Sequence, residues 1–224
     1  MEDYKTTNVY SFLSDQYEYL TGDLDVFHKI CKEAENREKQ ISIANSPITS
    51  SASPTTTVSS TTTNETTRNP ADNTKIYRLT IPVTLSLFAT IDSVGFLSGE
   101  NPKPNETEKN FKEFFKQSPI IFSVKEVELI NFLFRQGLSH VYFPKLNLGI
   151  SYHSKNTAEK LIFKDTSGYL TLNVNMLEKI VIETFELIKE KKELYNEMEK
   201  KYNDLINGYM EKDGAKISNY NSEA

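Results

Sequence analysis

Apolar residues recur at helical spacing over most of the chain and change to a strand-like pattern in one stretch. From Asn8 to about Ile43 they recur every three or four positions, which is the spacing of one buried helix face. The run is interrupted at residues 21–23, where Gly22 can end one helix and Asp23 can cap the next. Residues 1 to 44 are therefore predicted to form two N-terminal helices, with these apolar markers: Phe12, Tyr19 and Leu20 on the first, and Leu24, Phe27, Ile30, Cys31 and Ala34 on the second.

Serine and threonine dominate residues 45 to 74. Such a composition buries too little apolar area to offset the entropy of ordering, so it predicts a disordered linker. A helical core is predicted from residue 75 to residue 212. Pro82 fits the first turn of its first helix, which should run to about Leu97. Asp92 interrupts the apolar side of that helix, either as an internal hydrogen-bonding partner or as a residue that faces a pocket.

Two further helices are predicted before the pattern changes. The first is short and carries three aromatic residues on one side: Phe111, Phe114 and Phe115. The second opens with the capping-box pattern of Ser123 and Glu126 and ends before Pro144. Residues 146 to 175 then carry β-branched and aromatic residues on both sides of a turn at 165–168, which predicts a hairpin or a three-stranded meander.

A long C-terminal helix is predicted from Asn175 or Met176 to about Lys212, roughly 55 Å if it is unbroken. Its larger apolar residues approximate a heptad seam that Lys192 interrupts: Val181, Phe185, Ile188, Tyr195, Met198, Tyr202, Leu205 and Tyr209. The seam can pack on the N-terminal helices or on another subunit. Residues 213 to 224 are expected to form a flexible tail.

Composition and charge narrow the classes of function. The 224 residues carry a net charge of −5, so no broad basic surface indicates nucleic acid, although a local cationic pocket is compatible with that balance. The single cysteine excludes an intramolecular disulfide and suits a reducing compartment. The N-terminus lacks a secretion signal pattern, and Asp92 and Gly95 favour a protein-buried helix over a membrane span at residues 81–97. We expect a cytoplasmic protein without a membrane segment.

One stretch, residues 135 to 140, carries candidate chemistry. The sequence contains no Gly-rich phosphate loop, no paired Cys or His motif with metal spacing and no nucleophile elbow, so we expect neither cofactor nor metal. Arg135 can bind phosphate oxygens, and His140 can transfer a proton near neutral pH. These are the two groups that cleave RNA without a metal. Because five helical positions correspond to about 140° of rotation, the two side chains share a face only if the helix kinks or ends between them. Gly137 can provide that distortion, and a symmetric dimer can instead bring the motifs of two subunits together.

The R-x4-H frame from Arg135 to His140 resembles the signature of the HEPN (higher eukaryotes and prokaryotes nucleotide-binding) superfamily. The resemblance implies a homodimeric, metal-independent endoribonuclease of the toxin-like or defence-associated kind. Arg135 would bind the scissile phosphate, and His140 would act as acid or base. The wider stretch RQGLSHVY is similar to the R-x4-H-x-Y pattern of HEPN toxins found beside nucleotidyltransferase antitoxins, which implies that Tyr142 is modified by such a partner. Gln136 departs from the Asn, Asp or His usual at its position.

The predicted fold class is mostly α: a HEPN-like helical bundle with a small β insertion and a long C-terminal helix. Two functions follow from the sequence. The first is RNA cleavage by Arg135 and His140. The alternative is a non-catalytic helical module that binds a protein partner through its seamed helix and aromatic-rich surface, with Arg135 in a solvated stripe and His140 capping a helix end.

Overall fold

The computed structural model describes residues 4–44, 70–100, 106–141, 148–152, 160–165 and 168–223. The helices are α1 (Asn8–Ala44), α2 (Pro70–Ser98), α3 (Thr107–Gln117), α4 (Val124–Leu129), α5 (Gln136–Val141), α6 (Val174–Glu190) and α7 (Tyr195–Glu223). A π-helical segment (Ile130–Arg135), called the π segment below, joins α4 to α5, and the strands are β1 (Leu148–Ser151), β2 (Ile162–Lys164) and β3 (Leu170–Asn173). The predicted fold class is confirmed in its mostly helical content, its small sheet and its long C-terminal helix.

The N-terminal helix α1 is continuous, and the predicted break at residues 21–23 is wrong. Gly22 lies inside the helix. A glycine in a helix interior costs about 1 kcal/mol, which is less than the gain from burying one apolar stripe on both sides of it: Val9, Leu13, Leu20, Leu24, Phe27 and Cys31. Two residues assigned to the apolar side, Tyr19 and Ile30, are instead exposed.

Helix α2 is the central helix of the bundle and begins earlier than predicted. It starts at Pro70, so Pro82 lies in its interior and not in its first turn. The helix continues through the proline because its second half is buried against α1, α3, α6 and α7. The section Thr80–Ser98 is long and apolar enough to cross a membrane by length and composition, yet half of it is buried inside the protein, as befits a core helix. Residues 45–69 of the predicted linker lie outside the described residues.

The C-terminal helix is broken, whereas the sequence predicts one rod. Lys191 leaves the helical region with φ −78° and ψ 85°, and a 3-10 turn (Lys192–Leu194) leads into α7. Tyr195 Oη donates to the Lys189 carbonyl at 2.9 Å, which satisfies a carbonyl freed at the end of α6. The seam is buried through Met198. Helix α7 then continues to Glu223, where the sequence predicts a flexible tail.

Two side chains of α7 hold the ends of other helices. Glu199 accepts a 2.8 Å hydrogen bond from the backbone N–H of Val9, at the start of α1. Lys201 donates to the carbonyl oxygens of Leu97 and Gly99 at the end of α2. An anion at a helix N-terminus and a cation at a C-terminus both complement the helix dipole. These contacts fix α7 against α1 and α2.

The sheet has the order β1-β3-β2. Strands β2 and β3 form the predicted hairpin, and their turn contains Gly168 at φ +82°. The meander alternative is wrong, because β1 pairs with β3 in parallel and not with β2. Strand β3 leads directly into α6, where the Asn173 side chain caps the helix by accepting from the Met176 N–H at 3.1 Å.

The capping box predicted at Ser123 is confirmed. Ser123 Oγ accepts from the backbone N–H of Glu126 at 3.3 Å, and Glu126 Oε2 accepts from the Ser123 N–H at 2.9 Å. These hydrogen bonds hold the pKa of the Glu126 carboxyl below its ordinary value. The box fixes the start of the helical run that carries Arg135. Its predicted stop, Pro144, lies outside the described residues.

Candidate functional site

Arg135 is the last residue of the π segment and lines a cavity of about 330 Å³ that α2, α3 and α7 also border. The cavity has apolar walls formed by five side chains: Leu85, Phe88, Phe96, Leu205 and Tyr209. Asp92 and Asn110 add polar groups beside Arg135. An apolar cavity with a few convergent polar groups is the usual form of a ligand site.

Asp92 is the centre of a polar network. Its Oδ1 accepts from Asn110 Nδ2 at 2.7 Å, and its Oδ2 accepts from Thr107 Oγ1 at 3.2 Å. The Arg135 guanidinium lies 3.5 Å from the same Oδ2. Both alternatives predicted for Asp92 are therefore seen, since the residue is an internal partner and also faces a cavity. The network joins α2, α3 and the π segment.

The close approach of α2 to α3 brings Asn110 to Asp92. A Cβ atom at Gly95 would lie 2.8 Å from the carbonyl carbon of Asn110, and one at Gly99 would lie 2.6 Å from Glu113 Cγ. At Gly95, where the neighbour is backbone, only glycine fits between helices packed so closely. Asn110 is 1% exposed, and its Oδ1 has no hydrogen-bond partner among the residues that the structure describes.

The helix is continuous from Gln136 to Val141, so the kink that Gly137 could have provided, one of the alternatives for bringing Arg135 and His140 together, is not seen. The distortion lies before Arg135, where the N–H of Gln136 bonds to the carbonyl of Asn131, five residues back. Gly137 belongs to regular α5. His140 also lies in α5, but its side chain is outside the described part of the structure, as is all of Tyr142.

The ion pair of Arg135 and Asp92 is partly exposed. The Arg135 side chain is 27% exposed and that of Asp92 is 22% exposed. Their contact is long for a charge-assisted hydrogen bond, which normally measures about 2.7–2.9 Å. Arg135 therefore lines the cavity as a partly exposed cation beside Asp92.

Asn110 and Thr107 are site residues that the sequence did not predict. Asn110 precedes Phe111 on the buried side of α3, and a polar residue on an otherwise apolar helix face is a signal for an internal partner. Thr107 begins the helix and carries no comparable signal. Their common partner, Asp92, lies on another helix.

A second polar group surrounds His28. His28 Nε2 lies 3.0 Å from Glu178 Oε2, and the His28 ring stacks on Tyr152 with centroids 5.9 Å apart. Cys31 is buried beside them, and burial raises the pKa of its thiol to about 11. Among the described residues, no three His, Cys, Asp or Glu side chains are grouped so that they could hold a metal ion. The contacts give His28 and Cys31 a packing role between α1, α6 and the residue after β1.

Replacing Glu178 with glutamine should change how stability depends on pH. Burial raises the pKa of the Glu178 carboxyl, and the contact with His28 only partly offsets this rise. A carboxyl with a raised pKa contributes stability that is fully present below the ordinary value of about 4.3. That contribution is lost as pH rises through the raised value. In Glu178→Gln we therefore expect a flatter pH dependence of the free energy of unfolding across this interval.

Urea denaturation at a series of pH values between about 4 and 7 measures this effect. Glu190, an exposed residue of the same helix, provides the matched control, since Glu190→Gln should leave the pH dependence unchanged. A Glu178→Gln protein with the same slope as the original would contradict the expectation.

No protein-family model, no curated protein and no solved structure matches this chain. The fold and the site define its class by structure: a mostly helical bundle with a small sheet and an arginine-lined cavity. The resemblance to the HEPN superfamily rests on the motif from Arg135 to His140.

Proposed function

We propose that the chain is a metal-independent endoribonuclease of HEPN type that acts in the cytoplasm as a homodimer, with Arg135 and His140 as its catalytic groups. The observation that carries the proposal is the position of Arg135, partly exposed in a cavity and held by a 3.5 Å contact with Asp92. Guanidinium binds phosphate through two parallel hydrogen bonds, which are stronger than this long contact. Arg135 also ends a π-helical turn, a rare feature that often marks functional sites.

The proposed reaction needs one proton acceptor, one proton donor and one cation. His140 removes the proton from a ribose 2′-hydroxyl, whose oxygen attacks the neighbouring phosphorus. The bond to the 5′-oxygen breaks, and that oxygen takes up a proton from an imidazolium. Arg135 stabilises the charge of the phosphorane between these steps. The products are a 2′,3′-cyclic phosphate and a 5′-hydroxyl.

A two-fold dimer supplies the second set of groups. Side chains five positions apart on a regular helix are about 140° apart, and α5 is regular after Arg135. Two copies would bring two Arg135 and two His140 side chains to one cleft. By the same resemblance, Tyr142 is the proposed site at which an antitoxin partner adds nucleotides, and the chain is toxin-like or defence-associated.

Cleavage of labelled single-stranded RNA in the presence of EDTA tests this function. Arg135→Ala and His140→Ala should each lower the cleavage rate by at least about 100-fold, with cyclic phosphate at the product ends of the unaltered protein. Arg135→Lys keeps the charge but loses the two-pronged geometry, so an intermediate rate is expected. Circular dichroism checks that each variant is folded. Equal rates in the original and both alanine variants would exclude the proposed catalytic groups.

A specific observation favours the second function, a protein-interaction module. Beyond its packed part, α7 exposes three apolar side chains: Ile206, Tyr209 and Met210 are 42%, 56% and 63% exposed. A helix face of this kind suits the helix of a protein partner. A stoichiometric partner should then copurify equally with the Arg135→Ala and His140→Ala proteins and be lost when Tyr209 and Met210 are replaced by glutamate. A strictly monomeric chain without a partner would rule this function out.

A further inference from the structure

A second cavity of about 490 Å³ lies between α3 and the helical run formed by α4 and the π segment. We call it the amide cleft, because the carboxamides of Asn131 and Gln136 line it together with Leu129 and Phe132. Gln136 lines the amide cleft, and its neighbour Arg135 lines the cavity described above. Two consecutive residues therefore line two different cavities.

Asn131 is a buried side chain with an unmet hydrogen bond. It is 3% exposed, and its Oδ1 has no partner within the described part of the protein. Buried polar atoms in native proteins are nearly always paired, with the protein, with water or with a ligand. Asn131 is one of the residues that line the amide cleft, so a ligand bound there lies next to this carboxamide. A ligand that carries an N–H donor would then supply the missing partner.

Phe132 provides a surface for a flat ligand. Its side chain is 55% exposed although it neighbours the buried Asn131. Aromatic rings exposed beside polar groups are the platforms on which nucleobases stack. The cleft thus offers an aromatic face next to a carboxamide edge.

The charges around the cleft are balanced. Glu108 and Glu128 both line it, and both pair with Lys112 at 2.7 and 3.1 Å. Lys125 adds a further positive charge to the lining. The balance favours an uncharged group inside the cleft over an anion or a cation.

We infer that the amide cleft binds the base of an adenine nucleotide or nucleoside. The base stacks on Phe132. Its exocyclic amine donates to Asn131 Oδ1, and the amide Nδ2 of Asn131 donates to a ring nitrogen of the base. Asparagine pairs with adenine through this two-bond arrangement. As part of RNA, the base would occupy the amide cleft while a phosphate reaches Arg135, so this version rests on the proposed function. A free adenosine would make the same contacts in the cleft, and its binding does not depend on the proposed ribonuclease function.

Adenosine and purine riboside test the site by calorimetric titration of the full chain. Purine riboside is the matched control ligand, because it lacks only the exocyclic amine. Adenosine should bind about tenfold more tightly. Equal affinities, or no binding of adenosine and of short oligoadenylate, would overturn the inference.

Two variants assign the contacts. Phe132→Leu should weaken adenosine binding by about tenfold and leave the thermal midpoint unchanged. Asn131→Leu should abolish the preference for adenosine over purine riboside, and it should keep or raise the thermal midpoint because it removes an unpaired buried oxygen. A purely structural Asn131 would instead lower the midpoint and leave the preference intact. Adenosine binding that both variants retain would exclude the cleft.

Oligoadenylate binding to the His140→Ala protein separates the two sources of the base. Tight binding of the oligomer that Phe132→Leu weakens assigns the cleft to RNA, and binding of adenosine alone assigns it to a free nucleoside. RNA cleavage with unchanged adenosine binding in both cleft variants would remove this inference and leave the ribonuclease. Adenosine binding without any RNA cleavage would remove the ribonuclease and leave the cleft.

Discussion

Replacing Gly95 with alanine should lower the free energy of unfolding by at least about 2 kcal/mol. The new methyl group would lie 2.8 Å from the carbonyl carbon of Asn110 and closer still to its oxygen. These atoms belong to the backbone of α3, so they cannot move aside as the tip of a side chain can. Helices α2 and α3 must separate, which also strains the hydrogen bond from Asn110 to Asp92. The loss outweighs the gain of about 1 kcal/mol that alanine brings to a helix.

Gly22→Ala is the matched control for this prediction. Gly22 also lies inside a helix, but a Cβ atom there would have nothing within 4 Å. The same substitution should therefore raise the free energy of unfolding by about 0.5–1 kcal/mol. Chemical denaturation followed by circular dichroism measures both proteins. A gain in stability from Gly95→Ala, like the gain expected from Gly22→Ala, would show that α2 and α3 are not in the close contact described.

Phe134→Ala should cost about 3–5 kcal/mol of the free energy of unfolding. Phe134 is fully buried in the π segment, and no smaller side chain can fill the space that its ring leaves. Because Arg135 follows it directly, the loss should also loosen the contact between Arg135 and Asp92. Phe132, two positions earlier in the same segment, provides the control substitution.

Phe132→Ala should change the free energy of unfolding by no more than about 0.5 kcal/mol, because the Phe132 ring is 55% exposed. Both substitutions delete the same atoms from the same segment. Denaturation midpoints of the two variants, measured side by side, test the difference. Comparable losses would mean that the π segment does not present its two aromatic rings to opposite environments.

The sequence correctly predicted the elements that are stabilised by residues close to one another in the chain. The three phenylalanines of α3 share one face at helical spacing, and the capping box at Ser123 involves residues three apart. Both elements are where the sequence places them. The strong turn signal at 165–168 likewise predicted the hairpin of β2 and β3.

Other local signals were overruled by burial. Gly22 and Pro82 read as helix boundaries, yet both lie inside helices because neighbouring elements bury the apolar faces that run past them. The parallel pairing of β1 with β3 depends on contacts between residues more than twenty apart, which the alternation of side chains cannot specify. The π segment has no periodic signature of its own.

In the candidate site, too, local signals identify single residues, whereas the contacts between them depend on packing of distant elements. Arg135 and Asp92 each stand out in the sequence as charged residues on apolar helices. That they contact each other follows from the glycine-mediated approach of α2 to α3 and from the packing of the π segment. Both are contacts between elements that are far apart in the chain.

The π segment acts as a phase shift in an otherwise regular helical run. One residue more than an α-helical turn requires rotates everything after it by about 100° relative to everything before it. Asn131 and Arg135 are four positions apart and would share one face of an α-helix, yet they line different cavities. If the same sequence formed a regular α-helix, every residue of α5 would be turned by about 100° from its present direction, so the positions of all the α5 side chains depend on this one extra residue.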